Sequence, residues 1–356
     1  MPRRKKHHHT VPRLHLRGFA DNDEQLVQLD VLTGSEQNVS VSNASVRKHF
    51  YTITMPDGTR SDAWEDALSE MEGKVAPAIH RAIEIPTFKL TWRDRRLLST
   101  WIALQYLRGP DRRRQMGDIA SFTVYAQVGM GGLAYLRHAM SEGLGRAVEL
   151  EEAEAVWNDI TSATRPKMTV SSDEHLGIVN GTVKKVIAMV EARSWGRAQF
   201  THGSLLVSDT PVLLMGDGGS TGNAGLASAP VLAVPLDRRT LLWLGVPSSR
   251  GAVRDRDLEA ADERALVHNI VAVAGCERFV FRHPEDDVVP DEASVPREPV
   301  PRTVITGGED FANKDRPLQD VLDQIASHTE DDGHSLTANY TWPIPGYRPP
   351  DGLGLA

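Results

Sequence analysis

Apolar and polar residues alternate first at Leu26–Asp30 (LVQLD) and Val39–Val41, on either side of Gly34 and Ser35. A period of two with turn residues between predicts a small hairpin. A third strand is predicted over Phe50–Thr54, closed by the turn Pro56-Asp57-Gly58. The period then changes. Trp64, Leu68, Met71 and Val75 recur at helical spacing behind Ser61-Asp62, residues suited to an N-cap. A second helix is predicted from Thr91, carrying Leu97, Leu98, Trp101, Leu104 and Leu107 and stopping before Gly109-Pro110. A third runs from Asp111 towards Ala126, with Gly129–Gly132 bending or breaking it. Glu149–Ile160 and Asp173–Arg193 complete the helical middle.

Beyond Trp195 the pattern is strand-like again, at Ala198–Val207, Val231–Val234 and Leu241–Val246. A helix over Asp257–Val273 and a last strand over Arg278–Arg282 follow. From Pro284 prolines interrupt an acidic segment, the pattern of an extended linker. Leu318–Ile325 is predicted to form a short helix, and the end (WPIPGYRPPDGLGLA) is proline- and glycine-rich. The expected architecture is α+β: a helical middle with small antiparallel strands contributed from both ends. One mixed domain spans residues 7–283, and residues 284–356 are a partly disordered C-terminal extension.

Composition narrows the class. The chain has 356 residues and a single cysteine, Cys276, which excludes an internal disulfide framework and a cysteine-based zinc cluster. Unbroken apolar runs are strand-sized, far from the roughly 20 residues of a membrane span. The basic start lacks the apolar stretch of a secretory signal, so a cytoplasmic protein with no membrane partner is expected. A net charge of −8 argues against broad nonspecific nucleic-acid binding. Basic clusters at Arg93–Arg96 and Arg112–Arg114 leave room for a local phosphate contact.

Most chemical motifs fail on spacing. The loop MGDGGSTGNAG follows a strand, but its glycines do not make G-x-G-x-x-G and it has no lysine for a P-loop. At Gly203-Ser204 the second glycine of a G-x-S-x-G nucleophile elbow is missing. Ser208-Asp209 stands at a strand exit, where a side chain can meet solvent or merely bond the following turn. Glu65 and Glu72 share one helix face beside the stripe of Trp64, Leu68 and Met71. Carboxylates there can point into a cleft, bind a hard cation or serve as acid and base; they can equally form a solvated edge. His7, His8 and His9 lie in an extended segment, so alternate imidazoles share a side.

Several of these pieces stand together in an order that resembles a large, uncharacterised and mostly bacterial family, domain of unknown function 4238. His9-Thr10-Val11-Pro12 with Leu16 and Phe19 is similar to its H-x-V-P-x-x-x-L-x-x-F opening. Asp30 and Gly34, Phe50-Tyr51 and the helix with Glu65 and Glu72 follow in order. Gln105–Pro110 is similar to its Q-x-x-R-x-P helix end, and Trp195, Phe200 and Ser208-Asp209-Thr210-Pro211-Val212 to its later element. Ser208 departs from the usual threonine. The resemblance covers residues 7–283 and carries no reaction with it.

It does gather His9, Glu65, Glu72, Gln105, Arg108 and Asp209 as candidates. A metal-dependent hydrolase, phosphodiesterase or nuclease-like, with a role in defence or as a toxin, would use His9, Glu65, Glu72 and Asp209 as ligands to Mg, Mn or Zn. His9, Arg108 and Asp209 would act at the reaction centre, Arg108 as anion clamp, on a nucleic acid or nucleotide. The alternative is a binding or regulatory module whose polar cluster is structural. Arg108 would then pair Glu72 or Asp209, His9 would bond a backbone carbonyl, and the C-terminal extension would recruit a protein partner. Of the three leading histidines, only His9 is expected to matter.

Overall fold

The computed structural model describes residues 7–162, 167–216, 225–247 and 255–290. The described chain divides into two units, one of residues 7–113 and 172–290 and one of Arg114–Ser171. The fold is α+β.

The first unit opens with β1 (His7–His9), a single helical turn α1 (Arg13–Leu16), and the hairpin β2 (Gln25–Asp30) and β3 (Ser35–Ser40). Gly34, at φ 70°, sits in the left-handed backbone that the tight connection requires. β4 (Val46–Lys48) pairs antiparallel with β1, and β5 (Ile53–Thr54) pairs with β6 (Arg60–Ser61) across the Pro56–Gly58 turn. The strand expected over Phe50–Thr54 is therefore only its last two residues. Phe50 and Tyr51 lie in a turn, and both are buried.

α2 (Ala63–Glu84) continues past Pro77, and α3 (Trp92–Arg108) follows. α3 begins on a reciprocal cap: Thr91 Oγ1 accepts from the Asp94 N–H at 3.1 Å and donates to Asp94 Oδ2 at 2.9 Å. Thr91→Ala is expected to cost about 1 kcal/mol of stability, readable as a shift of the urea midpoint. α4 (Pro110–Leu144) is much longer than the pattern indicated, running through Gly129 and breaking only at Gly132 (φ 70°, ψ −173°). After α5 (Leu150–Thr161) the chain returns through α6 (Ser172–Glu191).

The later strands are β7 (Arg193–Gln199), β8 (Val207–Ser208), β9 (Leu213–Met215), β10 (Val231–Pro235), β11 (Thr240–Pro247) and β12 (Arg256–Asp257). α7 (Asp262–Gly275) and β13 (Phe279–Arg282) close the domain. The single strand expected over Ala198–Val207 is two. β7 ends at Gln199, and Phe200–Leu206 cross between sheets, with Phe200, Leu205 and Leu206 buried. The helix expected from Asp257 starts five residues later, because Asp257 pairs in β12 and its carboxylate takes Arg197.

Besides the two-stranded pairs β1-β4 and β5-β6, the described residues form two larger sheets, ordered β12-β7-β11-β10-β9 and β3-β2-β13-β8. One core lies between α2, α3 and α6 and the first sheet, through Trp64, Leu98, Trp101, Val183, Trp195 and Leu242. The other joins Ala198, Leu213, Ala233 and Leu241 of that sheet to Leu26, Leu29, Val280 and Phe281 of the second, with α7 beside them. Opposite faces of one sheet thus serve two cores, so its strands are apolar on both sides and lose the alternation of a half-solvated strand. Arg197 reaches into the first core. Its Nη1 donates to the carbonyls of Ala82, Ile83 and Ile85, ending α2, while Nε and Nη2 hold Asp257.

The second unit packs Val128, Leu133, Leu136, Val148, Ala153 and Trp157 together. Here the count of unbroken apolar runs understated the chain. α4 contains an 18-residue window of mean hydropathy 1.2 and is, by length and composition, long enough to cross a bilayer; 41% of that window is buried within the protein. Buried helices of soluble proteins pass the same test. The glycine loop at 217–224, the predicted helix Leu318–Ile325 and most of the C-terminal extension lie outside the described residues.

Candidate functional site

The N-terminal strand sets the first part of the site. Strand alternation sends His8 inward and leaves His7 exposed and His9 half-buried. β1 is held by Ser45, itself in left-handed backbone (φ 59°), whose Oγ accepts from the Val11 N–H at 2.7 Å while its carbonyl accepts from the Thr10 N–H. His9 Nε2 lies 3.1 Å from the Ser42 carbonyl, so Nε2 carries the proton and Nδ1 keeps its lone pair. Burial lowers the His9 pKa; the Ser42 bond opposes this, and the charges of Arg13, Arg108 and His7 add to it. The imidazole is neutral near pH 7.

Arg108 comes from the last turn of α3 and is buried. Its Nη2 donates to Glu72 Oε1 of α2 at 3.0 Å. In the amide orientation that satisfies both ends, the Gln105 oxygen accepts from the same Nη2 at 2.9 Å and from Trp101 Nε1 at 3.3 Å. Gln105 stands three residues before Arg108, so both project from one face of α3. The Tyr51 hydroxyl donates to the Arg108 carbonyl at 3.3 Å, and the guanidinium carbon lies 5.8 Å from the Tyr51 ring centre. Burial works against the Arg108 charge, but Tyr51, Glu72 and Glu65 outweigh it and raise its pKa. Burial pushes the Tyr51 phenol up to about 12, with Arg108 opposing and Glu65 adding. Arg108 Nε is buried with no hydrogen-bond partner.

His9, Glu65, Glu72, Gln105 and Arg108 therefore converge around one buried guanidinium. Asp209 is engaged elsewhere. Its carboxylate is buried at the exit of β8 and accepts three backbone N–H groups, from Glu277 at 2.7 Å, Arg278 at 2.8 Å and Phe279 at 3.0 Å. Its own N–H donates to the Phe279 carbonyl at 2.9 Å. Burial pushes the Asp209 carboxyl up to about 6 although those three donors pull the other way. Ser208 and Thr210 finish the knot: Ser208 Oγ donates to the Thr210 carbonyl and Thr210 Oγ1 to that of Gly275. Among the described residues no three His, Cys, Asp or Glu side chains are grouped to hold a metal ion.

The order of motifs that gathered these residues reflects a shared pattern across most of the chain. A family model described as "Protein of unknown function (DUF4238)" matches residues 7–286. The chain belongs to that family. Neither the comparison with curated proteins nor that with solved structures found a match. The family's description assigns no chemistry, so the roles of its motif residues in this chain rest on the geometry above.

Some participants carried no sequence signal. His8 is buried, its Nδ1 accepts from the Tyr51 N–H at 2.8 Å, and its ring stacks on Tyr51 with centres 5.8 Å apart. The expectation that His8 stands by is overturned; the strand's alternation points it, not His9, into the core. His15 lies buried edge-on to Trp101 with Nε2 2.5 Å from the Pro235 carbonyl. Arg113 covers the Phe50 ring at 3.7 Å and donates to His175 Nδ1 at 3.1 Å. Only the cluster of three arginines at 112–114 hinted at this last contact.

Proposed function

We propose that the chain is a binding or regulatory module in which the Arg108 cluster is a structural clasp, with the acidic, proline-rich extension beyond residue 290 as the segment that meets a protein partner. The observation that carries this reading is that, apart from the unbonded Arg108 Nε, the cluster's bonds close on one another. The Arg108 charge meets Glu72, Gln105 orients it, Tyr51 fastens its backbone, and His9 is fastened to Ser42. A buried guanidinium answered in this way ties α3 to α2, and His8 and His9 tie β1 to the elements around it.

The second reading, a metal-dependent hydrolase acting on a nucleic acid or nucleotide, is supported by one feature. His9 Nδ1 retains a lone pair, and Glu65 and Glu72 are only half-buried near Arg108, residues from which a ligand or general base could be drawn.

Calorimetric titration of the full chain with magnesium, manganese and zinc separates the two, run alongside His9→Ala and Glu72→Ala. Under the clasp reading both variants lower the melting temperature and no metal raises it. Glu72→Ala costs about 2 kcal/mol, since a buried guanidinium loses its counter-charge. Stoichiometric metal binding that His9→Ala abolishes would overturn that reading and establish the hydrolase site.

A further inference from the structure

The second unit builds a pocket from one stretch of its own chain. α4 breaks at Gly132, and its last residues, 133–144, carry Leu133, Ala134, Arg137, His138 and Ser141 at the spacing of one helix face. Gly145, in left-handed backbone at φ 62°, then turns the chain back. Three bonds pin the returning segment to α4. The Arg146 N–H donates to the Ser141 carbonyl at 3.2 Å, the Val148 N–H to Ser141 Oγ at 3.1 Å, and Arg137 Nε to the Val148 carbonyl at 2.6 Å. The pocket that results measures about 520 Å³, and Ala147, Val148 and Leu150 complete its lining. Small-molecule sites run from roughly 300 to 1,000 Å³.

The lining is mostly apolar, with basic groups at one place. Leu133 and Val148 belong to the packed core of this unit. Leu150, 50% exposed, stands at the rim, and Leu144, one turn on from Ser141, is 55% exposed. Ser141 Oγ is already engaged, donating to the Arg137 carbonyl at 2.9 Å while it accepts from Val148. Carboxylates crowd the adjoining chain at Glu149, Glu151 and Glu152, yet none lines the pocket. Arg137 gives the site its direction. Its Nε is fixed by Val148, and neither Nη has a hydrogen-bond partner among the described residues. A guanidinium held in this way offers a preset fork to a planar acid group. His138 beside it bonds no other described residue.

We propose that this pocket binds an amphipathic carboxylate of fatty-acid type, one acid head on an aliphatic body. The head lies on the Arg137 fork beside His138, and the body lies along Leu133, Val148 and Leu150. A cationic head would be repelled by Arg137, and a wholly apolar molecule would leave the fork unanswered. A protein partner or a second copy of the chain is the weaker occupant. The pocket is lined by eight residues, against roughly 20–30 on each side of a stable protein interface.

Calorimetric titration of the full chain with sodium decanoate is expected to show one molecule bound per chain. Decyltrimethylammonium chloride, the same tail with a cationic head, should bind about tenfold more weakly or less. Arg137→Gln removes the fork and should weaken decanoate by about tenfold or more. Ala134→Trp fills the pocket from an exposed helix position and should abolish binding. Melting curves verify that both variants fold. Leu150→Glu, at the exposed rim, repeats the test without touching a hydrogen bond and should weaken decanoate in the same direction. No binding of decanoate, equal affinity for the two heads, or affinity unchanged in the folded variants would overturn the proposal. So would a dimer in sedimentation that Ala134→Trp splits, which would assign the pocket to a second copy. The Arg108 cluster takes no part in these measurements, so the inference stands whichever way the metal titration is decided.

Discussion

Lowering the pH from 7 to 4.5 is expected to remove on the order of 5 kcal/mol of stability, about 1.4 kcal/mol per pH unit for each net proton taken up on unfolding. Three buried histidines drive this. Burial depresses His15 to about 4, with Pro235 opposing and Arg108 adding. It depresses His268 to about 4 against its bond to Asn269 Oδ1, and His175 to about 3 with help from Arg113. His175 also has a bonding reason to stay neutral. Its Nε2 lies 3.0 Å from the Leu107 carbonyl and its Nδ1 accepts from Arg113, so a second proton would break a hydrogen bond.

The sign follows from these directions. In the unfolded chain each histidine takes up a proton near pH 6.5, whereas the folded protein refuses it until pH 3–4. Stability is therefore full above 6.5 and drains as pH falls through that value. Asp209 acts the other way: its folded carboxyl binds a proton near pH 6, its unfolded one near 3.8, so it returns stability over the same window. Three protons against one leave about two in favour of the unfolded chain, and the resulting loss rivals the whole stability of an ordinary domain. Melting temperatures at half-unit steps from pH 7 to 4.5 measure it. A flat profile down to pH 5 would sink the idea. His268→Gln should flatten the slope by about one proton, or 1.4 kcal/mol per pH unit.

The second large effect is expected from Asp209→Ala, which should destabilise the protein by about 3–5 kcal/mol. The substitution strands three part-buried N–H groups, at roughly 1–3 kcal/mol each before the site relaxes. Asp209→Asn keeps one acceptor oxygen but turns an amide towards three donors, so an intermediate loss is expected. Urea midpoints of the three proteins give the order. A loss under 1 kcal/mol for the alanine variant would mean that the turn before β13 finds other partners.

What the sequence made legible was set by period and order. Helices α3, α5 and α6 were found within a few residues because their apolar faces repeat over three or more turns. The last strand was found because its apolar run is bounded by a helix end and a proline. The break between β7 and β8 was hidden, since Phe200, Leu205 and Leu206 stay buried while leaving the sheet, and period alone cannot separate a buried crossing from a buried strand. The site divides along the same line. Gln105 and Arg108 were gathered by the family resemblance and meet because they share a helix face, while the spacing of Glu65 and Glu72 put both on one face of α2. Asp209 was grouped with them by order along the chain, which says nothing of distance. Its partners are backbone N–H groups of residues 277–279, and no side-chain pattern announces a backbone donor. His8 was missed because β1 has only three residues, too few for its alternation to show against a run of identical residues.

The place of β13 in its sheet has a consequence for how the protein is made. β2 pairs on one side with its hairpin partner β3 and on the other with β13, Leu29 opposite Val280 and Asp30 opposite Phe279. Among the described residues β8 likewise pairs with β13 alone. A ribosome therefore releases the N-terminal hairpin some 250 residues before the strand that completes it. At an elongation rate of ~5–20 residues per second, that is a wait on the order of 10–50 s. Throughout it the β2 edge has no partner beyond β3, and Leu26 and Leu29 lack much of their cover. Nascent chains halted before Phe279 are the ones for which a holding chaperone matters most.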